Sequence, residues 1–223
     1  MSSVTEFYGD RAALYDRIAT APGVGRWRHA AAEQTSTPGA TVVEMGCGTG
    51  ANLPYLRERV GPNGRVIGVD ITGPLLERAR ERTTEYDNVS VVRGDATAPP
   101  ISEADAILAT FVCGLFDDPA TVVDRWCDIV GPGGQIVLLD ATASDRPLGR
   151  PLNPLFRAFV SAGSPTTGLG DVLTALFGRA DTVLSTRVEA SRQALVRRAD
   201  TRTYEEFALG FVGLLSGRVT DAR

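Results

Sequence analysis

The chain of 223 residues contains no lysine, so all 23 of its basic positions are arginine. It holds one histidine, His29, and three cysteines, Cys47, Cys113 and Cys127. A lone histidine and scattered cysteines argue against a His/Cys metal centre, and the odd cysteine count fits a reducing compartment. Long apolar runs are missing: the longest, Ala106 to Phe116, falls short of the ~18 residues of a membrane-spanning helix. The opening Met1-Ser2-Ser3-Val4-Thr5-Glu6 has no basic region followed by an apolar one. Neither a transmembrane segment nor a signal peptide is therefore expected, and a cytoplasmic location is. Peripheral contact with a membrane stays open. Excess positive charge is absent as well. With 27 acids the net charge is −4 and the isoelectric point about 5.1, which argues against nucleic-acid partners. Missing lysine fits high-GC coding or a saline habitat, although −4 is mild for the latter. At 43% hydrophobic and 22% charged residues, the length suits one globular domain, or one domain with an insertion.

What the chain does have is Val42-Val43-Glu44-Met45-Gly46-Cys47-Gly48-Thr49-Gly50. A β-branched apolar run ends in an acid, glycine then recurs at every second position, and Asn52 to Arg57 opens a helix. Glycine permits positive φ and removes Cβ, so a ligand can approach this backbone, and N–H groups at the start of the next helix face the same space. The spacing is neither the dinucleotide G-x-G-x-x-G nor a P-loop, which needs Gly-Lys-Ser/Thr. A nicotinamide oxidoreductase is disfavoured accordingly. The stretch resembles motif I of the class I S-adenosylmethionine-dependent methyltransferases, E/D-x-G-x-G-x-G. That resemblance implies S-adenosylmethionine over Glu44, Gly46, Cys47, Gly48, Thr49, Gly50 and Asn52.

Downstream, Arg65 to Asp70 is a strand ending in an acid ~20 residues past the loop, which is where doubly wound nucleotide-binding folds place a ribose-binding carboxylate. Asp70 and its neighbour Ile71 are thus candidate cofactor contacts. Thr72 reads as an N-cap with Pro74 in the first turn of a helix running to about Tyr86. Asn88 to Arg93 is strand three, and the resemblance places the adenine on Asp95 and Ala96. Ala104 to Thr110 is strand four, its end at Thr110 and Phe111 lining the cleft. Asp117-Asp118-Pro119 caps a helix to about Val130, and Gln135 to Asp140 is strand five. Alternating strands and helices mean a mostly parallel doubly wound sheet, with ligands beyond the strand carboxyl ends.

The remainder divides the domain further. Residues 1–36 are expected to be a helical lid, with helices at Phe7–Asp16 and Val24–Glu33, and 40–142 the cofactor-binding core. Residues 143–200 are expected to be a helical insertion shaping the acceptor site. Residues 201–218 read as a terminal strand hairpin completing a seven-stranded, Rossmann-like α/β sheet, with an amphipathic helix as the rival reading.

Within the superfamily the chain most resembles the ubiquinone/menaquinone-biosynthesis C-methyltransferases. The likeness rests on Phe7, Ala12 or Ala13, Tyr15 and Asp16, on Trp27-Arg28, on Pro151-Leu152, and on Tyr204 to Gly217. It departs at Gly114-Leu115-Phe116-Asp117, which lacks the family's arginine, and at Gly46-Cys47-Gly48, where the family has Gly-Gly. The resemblance implies methyl transfer to a small apolar or aromatic, quinone-like acceptor. A phospholipid or amine acceptor and a non-catalytic cofactor-binding module are the alternatives. A base is needed only if the acceptor must lose a proton; Tyr15 is the candidate, ahead of Asp16, Asp117 and Asp140. No metal site is expected. The sequence leaves a dimer open.

Overall fold

The computed structural model describes residues 23–35, 37–162 and 180–221. The helix expected at Phe7–Asp16, with Tyr15 and Asp16, lies outside them, as do residues 163–179 of the expected 143–200 insertion. Seven strands form one sheet in the order β3-β2-β1-β4-β5-β7-β6. They are β1 (Thr41–Met45), β2 (Arg65–Asp70), β3 (Val89–Arg93), β4 (Ala106–Thr110), β5 (Gln135–Ala141), β6 (Ala199–Phe207) and β7 (Val212–Val219). The first five pair in parallel, and β7 runs against both neighbours. The hairpin reading of the C-terminus is the one the fold adopts, with β6 starting at Ala199 rather than at Thr201.

Strands β1, β2, β4, β5 and β7 are buried on both faces, so period-two alternation sorts their apolar side chains between two cores rather than between core and water. Val43, Met45, Ile107, Ala109, Ile136 and Leu138 face one layer. There they meet Val123 and Trp126 of α4 (Pro119–Val130) and Ala194 and Leu195 of α6 (Ala180–Arg198). Val42, Leu108, Val137 and Leu139 face the other. Opposite them lie Ala31 and Ala32 of α1 (Val24–Thr35), Leu53 and Leu56 of α2 (Leu53–Val60), and Leu76 and Ala79 of α3 (Gly73–Arg82). Trp126 is fully buried and donates its indole N–H to the Ala96 carbonyl at 2.8 Å, which satisfies the one polar atom of a large apolar side chain.

Local chemistry sets the helix ends. Asp118 accepts from the Thr121 backbone N–H at 3.2 Å and its hydroxyl at 2.7 Å, with Pro119 in the first turn of α4. The expected helix to Tyr86 stops at Arg82: the Thr83 hydroxyl bonds back to the Ala79 carbonyl, and Tyr86 N–H closes a turn on Thr83. β4 begins at Ala106 rather than Ala104, and just before it the Asp105 carboxylate accepts the Thr41 N–H at 2.7 Å.

β1 and β4 are adjacent while their following helices go to opposite layers. That divergence opens a crevice at their carboxyl ends, where such sheets bind ligands.

Candidate functional site

Glu44 is the last-but-one residue of β1 and is completely buried. Its Oε1 accepts from the Asn52 amide and from the Thr110 hydroxyl, the latter at 3.3 Å. Asn52 Nδ2 also donates to Thr110 Oγ1 at 2.9 Å, and Asn52 Oδ1 accepts from Arg28 Nη1 at 2.6 Å. Asn52 stands at the N-cap of α2, yet its side chain makes no capping bond. A residue type favoured for capping is diverted into a buried cluster joining α1, β1, α2 and β4. Burial pushes the Glu44 carboxyl up to about 7, against the Asn52 hydrogen bond and the nearby Arg28 charge. Glu44 Oε2 is buried and has no hydrogen-bond partner among the described residues.

The glycine loop lies above this cluster. Gly46, Gly48 and Gly50 have φ of +70°, +54° and +73°, a region side-chain-bearing residues avoid. Packing adds a second requirement at two of them. A Cβ on Gly46 would come within 2.7 Å of Val112 Cγ2, and one on Gly50 within 2.9 Å of Ala79 Cβ. Cys47 points the other way: its side chain is buried against Gly68 of β2, leaving only its backbone for the loop. Thr49 is buried, and Arg82 of α3 clamps it through the carbonyl at 2.6 Å and the hydroxyl at 3.2 Å.

At the end of β2, Asp70 Oδ2 accepts the Gly48 N–H at 2.9 Å and Oδ1 the Thr72 N–H at 2.8 Å. Thr72 keeps the N-cap position expected of it but makes no side-chain cap bond. Burial raises the Asp70 pKa while these hydrogen bonds oppose the shift. Ile71 is half-buried beside it, its carbonyl taken by Arg93 at 3.2 Å. After β3, Asp95 Oδ1 accepts the Thr97 N–H and hydroxyl, each at 2.8 Å, and Ala96 is buried with its carbonyl on Trp126. At the end of β4, Phe111 takes φ +56° while its N–H donates to the Leu139 carbonyl at 2.7 Å. A bulky residue in that region is strained, a state retained where surroundings over-determine it and concentrated at functional sites.

The structure thus joins Glu44, Asn52 and Thr110 in one cluster and Gly48 with Asp70 in another. It sets Asp95, Ala96 and Phe111 beyond the carboxyl ends of β3 and β4, on the same edge of the sheet with β2 and β1 between them. Arg28 belongs to the first cluster and was not singled out by spacing; the Trp27-Arg28 pair was its only trace in the sequence. Of the candidate bases, Asp117 has a fully exposed side chain paired with Arg187 at 2.5 Å. Asp140 is 1% exposed, with its carboxyl raised to about 6 by burial despite the Arg192 charge. Neither is placed to meet an acceptor. Tyr15 and Asp16 lie outside the described residues. Among those residues no group of His, Cys, Asp and Glu could hold a metal ion, and no helix is long and apolar enough to cross a membrane.

The donor and acceptor set fits a ligand with an ammonium group and vicinal hydroxyls. A buried carboxylate oxygen lacks a donor, a second carboxylate sits against the loop backbone, and the loop glycines keep side chains out.

Comparison with known proteins agrees. Residues 42–134 match the family described as "Methyltransferase domain". The 2-phytyl-1,4-naphtoquinone methyltransferase of Thermosynechococcus vestitus is 32% identical over 147 residues, 63% of this chain and 65% of that one. The demethylmenaquinone methyltransferase of Staphylococcus aureus is 31% identical over 124 residues, 55% of this chain and 52% of that one. The nocamycin O-methyltransferase of Saccharothrix syringae is 36% identical over 105 residues, 45% of this chain and 38% of that one. The matched segments therefore span between 38% and 65% of these relatives. In fold, the chain is similar to a SAM-dependent methyltransferase from Aquifex aeolicus, with TM-score 0.53, 17% identity, and coverage of 84% of this chain and 86% of that one. A proposed S-adenosylmethionine-dependent methyltransferase from Methanococcus maripaludis gives TM-score 0.65 at 18% identity, covering 97% and 95%. Over residues 42–134 the chain is thus similar to methyltransferase domains; it is similar in sequence to quinone methyltransferases and in fold to S-adenosylmethionine-dependent methyltransferases, and the cofactor this likeness implies is S-adenosylmethionine.

Proposed function

We propose that the protein transfers a methyl group from S-adenosylmethionine to a small apolar or aromatic, quinone-like acceptor. The observation that carries the cofactor half is the paired arrangement of Glu44–Asn52–Thr110 beneath the glycine loop and Asp70 against Gly48. The acceptor half is supported by the two quinone-methyltransferase relatives at 32% and 31% identity. When bound, the cofactor supplies a methyl group on a sulfonium, open to in-line displacement.

The chain's residues then have the following roles in this proposal. Asp70 accepts the ribose hydroxyls on the lone pairs its two backbone bonds leave over. Glu44 offers Oε2 to the ammonium group, which would favour its ionised form. Gly46, Gly48 and Gly50 hold the loop open, with the backbones of Cys47 and Thr49 as its floor and Ile71 along its edge. Asp95 and Ala96 bound the adenine, and Thr110 and Phe111 face the reacting end. Positioning and exclusion of water do most of the catalysis such a transfer requires. Tyr15 remains the proposed base if a hydroxyl must be deprotonated to activate the ring.

A hydroxyl-oxygen acceptor is the second reading, favoured by the 36% identity to an O-methyltransferase. A cytoplasmic setting is supported by Cys47, Cys113 and Cys127, all free and buried. The test is methyl-labelled S-adenosylmethionine incubated with the purified protein and chemically reduced 2-phytyl-1,4-naphthoquinone, a phenol, an amine or phospholipid vesicles. Label on a ring carbon of the quinol is expected. Label only in the phenol ether would select the second reading, and label only in amine or lipid would overturn both.

A further inference from the structure

A cavity of about 510 Å³ lies between α1, the segment after β5 and the β6–β7 connection, lined by Arg26, Arg146, Pro147, Leu148, Glu206 and Phe207 to Gly210. That volume suits a small molecule. Its position follows from register. Ala141 pairs with Val212, so the β6–β7 connection sits at the carboxyl end of β5, the sheet edge that also carries Glu44, Asp70 and Thr110.

The connection is a built feature. Ala208, Leu209 and Gly210 have φ of +51°, +59° and +88° in succession, a conformation disfavoured for the first two by contact of Cβ with the backbone. Buried Ser144 holds it, donating its hydroxyl to the Leu209 carbonyl at 2.6 Å. Asn153, at the start of α5 (Asn153–Ala162), fixes Ser144 in turn, accepting its N–H at 2.9 Å and donating to its carbonyl at 3.0 Å. Both polar ends of Asn153 are thereby used in structure. A strained turn pinned this firmly marks a place where the fold keeps a particular surface. The surface it presents is apolar: Leu209 is 50% and Leu148 77% exposed. Charge is arranged as sharply. Arg146 is paired with Glu206 at 2.5 Å, which leaves exposed Arg26 as the cavity's surplus charge, with no acid on it among the described residues.

We propose that this cavity is the acceptor pocket, and that it selects an apolar molecule bearing one carboxylate, with the apolar body against Leu148 and Leu209 and the carboxylate on Arg26. The inference rests on the cofactor half of the methyltransferase reading and adds to its acceptor, quinone-like or other, the requirement of a carboxylate, which makes the neutral quinol a weaker ligand than an acid of the same body. A planar guanidinium offers the fork that a carboxylate matches with two parallel hydrogen bonds.

The test is calorimetric titration with 2-naphthoate and its neutral counterpart 2-naphthamide, alongside S-adenosylhomocysteine. The unmodified protein should bind naphthoate about two- to fivefold more tightly than naphthamide, the discrimination expected of one solvent-exposed ion pair. Arg26→Gln should erase that preference while leaving naphthamide affinity unchanged, and Arg26→Lys should retain part of it. Leu209→Asn tolerates the left-handed backbone and should weaken both naphthyl ligands severalfold. All three variants should bind S-adenosylhomocysteine as the unmodified protein does. Equal affinity for the two probes, or a preference that survives Arg26→Gln, would overturn the pocket. Failure of the unmodified protein to bind S-adenosylhomocysteine would instead overturn the cofactor reading, and naphthoate selectivity alongside that failure would refute the cavity as an acceptor site.

Discussion

The Gly48 N–H donates to Asp70 Oδ2 at 2.9 Å, so the carboxylate at the end of β2 holds the loop that follows β1. Asp70 therefore has two tasks in the proposed site: fixing the loop and receiving the ribose. Each charged hydrogen bond is worth roughly 1.5–3 kcal/mol. Asp70→Ala should weaken S-adenosylhomocysteine binding about 10- to 150-fold in calorimetry. A change below about threefold would leave Asp70 with the loop alone.

The loop glycines should separate by cause. Gly46→Ala places a Cβ 2.7 Å from Val112 at φ +70°, so a fall in melting temperature is expected even without ligand. Gly48→Val sets a branched side chain at φ +54°, which costs about 1–2 kcal/mol and fills the proposed cradle. Binding should then vanish while the folded spectrum persists. Normal binding by that variant would remove the loop from the site.

The acid in the Glu44 cluster predicts a pH dependence for the ligand-free protein. Its folded pKa, pushed up to about 7, lies above the ordinary value of 4.5 because of burial, so the folded state holds a proton that the unfolded state has released. The stabilising contribution is full below pH 4.5 and is lost as pH rises through 7. Asp140, raised from 3.8 to about 6, acts in the same direction over its own window. At about 1.4 kcal/mol per unit, the Glu44 share is of the order of 3 kcal/mol. Glu44→Gln should flatten the decline between pH 4.5 and 7 in denaturant titrations, and an unchanged slope would show that Glu44 titrates normally.

The α6 helix should depend on a buried charge. Arg192 lies near Asp140 and over the Tyr204 ring at 5.3 Å, where it would also meet a Cβ on Gly213. The two groups make no direct ion pair, so the coupling is a charge–charge one at a distance, weaker than that of a bonded buried pair. Arg192→Met should destabilise the protein, and adding Asp140→Asn should restore part of the loss. Additive losses would mean that the two charges do not interact.

The order of strands and helices from Thr41 to Ala141, the glycine loop and the acids at the strand ends could be read from sequence, because each is a local pattern. Strands buried on both faces are short apolar runs, glycines mark positive φ, and an acid closing a strand is visible as such. The hairpin from Ala199 to Val219 was legible for the same reason, although its start was not, since the exposed β6 lacks apolar alternation. Three things were decided only by tertiary packing. Asn52 looks like a helix cap in sequence, but Arg28, 24 residues away, and Thr110, 58 residues away, turn it to Glu44. Asp140 reads as a cleft-facing acid, but side-chain alternation along β5 sends it to the α6 face, where Arg192 answers it. Ser144 and Leu209 carry no motif; a hydrogen bond across 65 residues fixes the strained turn. Local propensity constrains neighbours in the chain, whereas the partner of a buried polar group is chosen by which distant segments the sheet brings together, and no pattern along the chain records that choice.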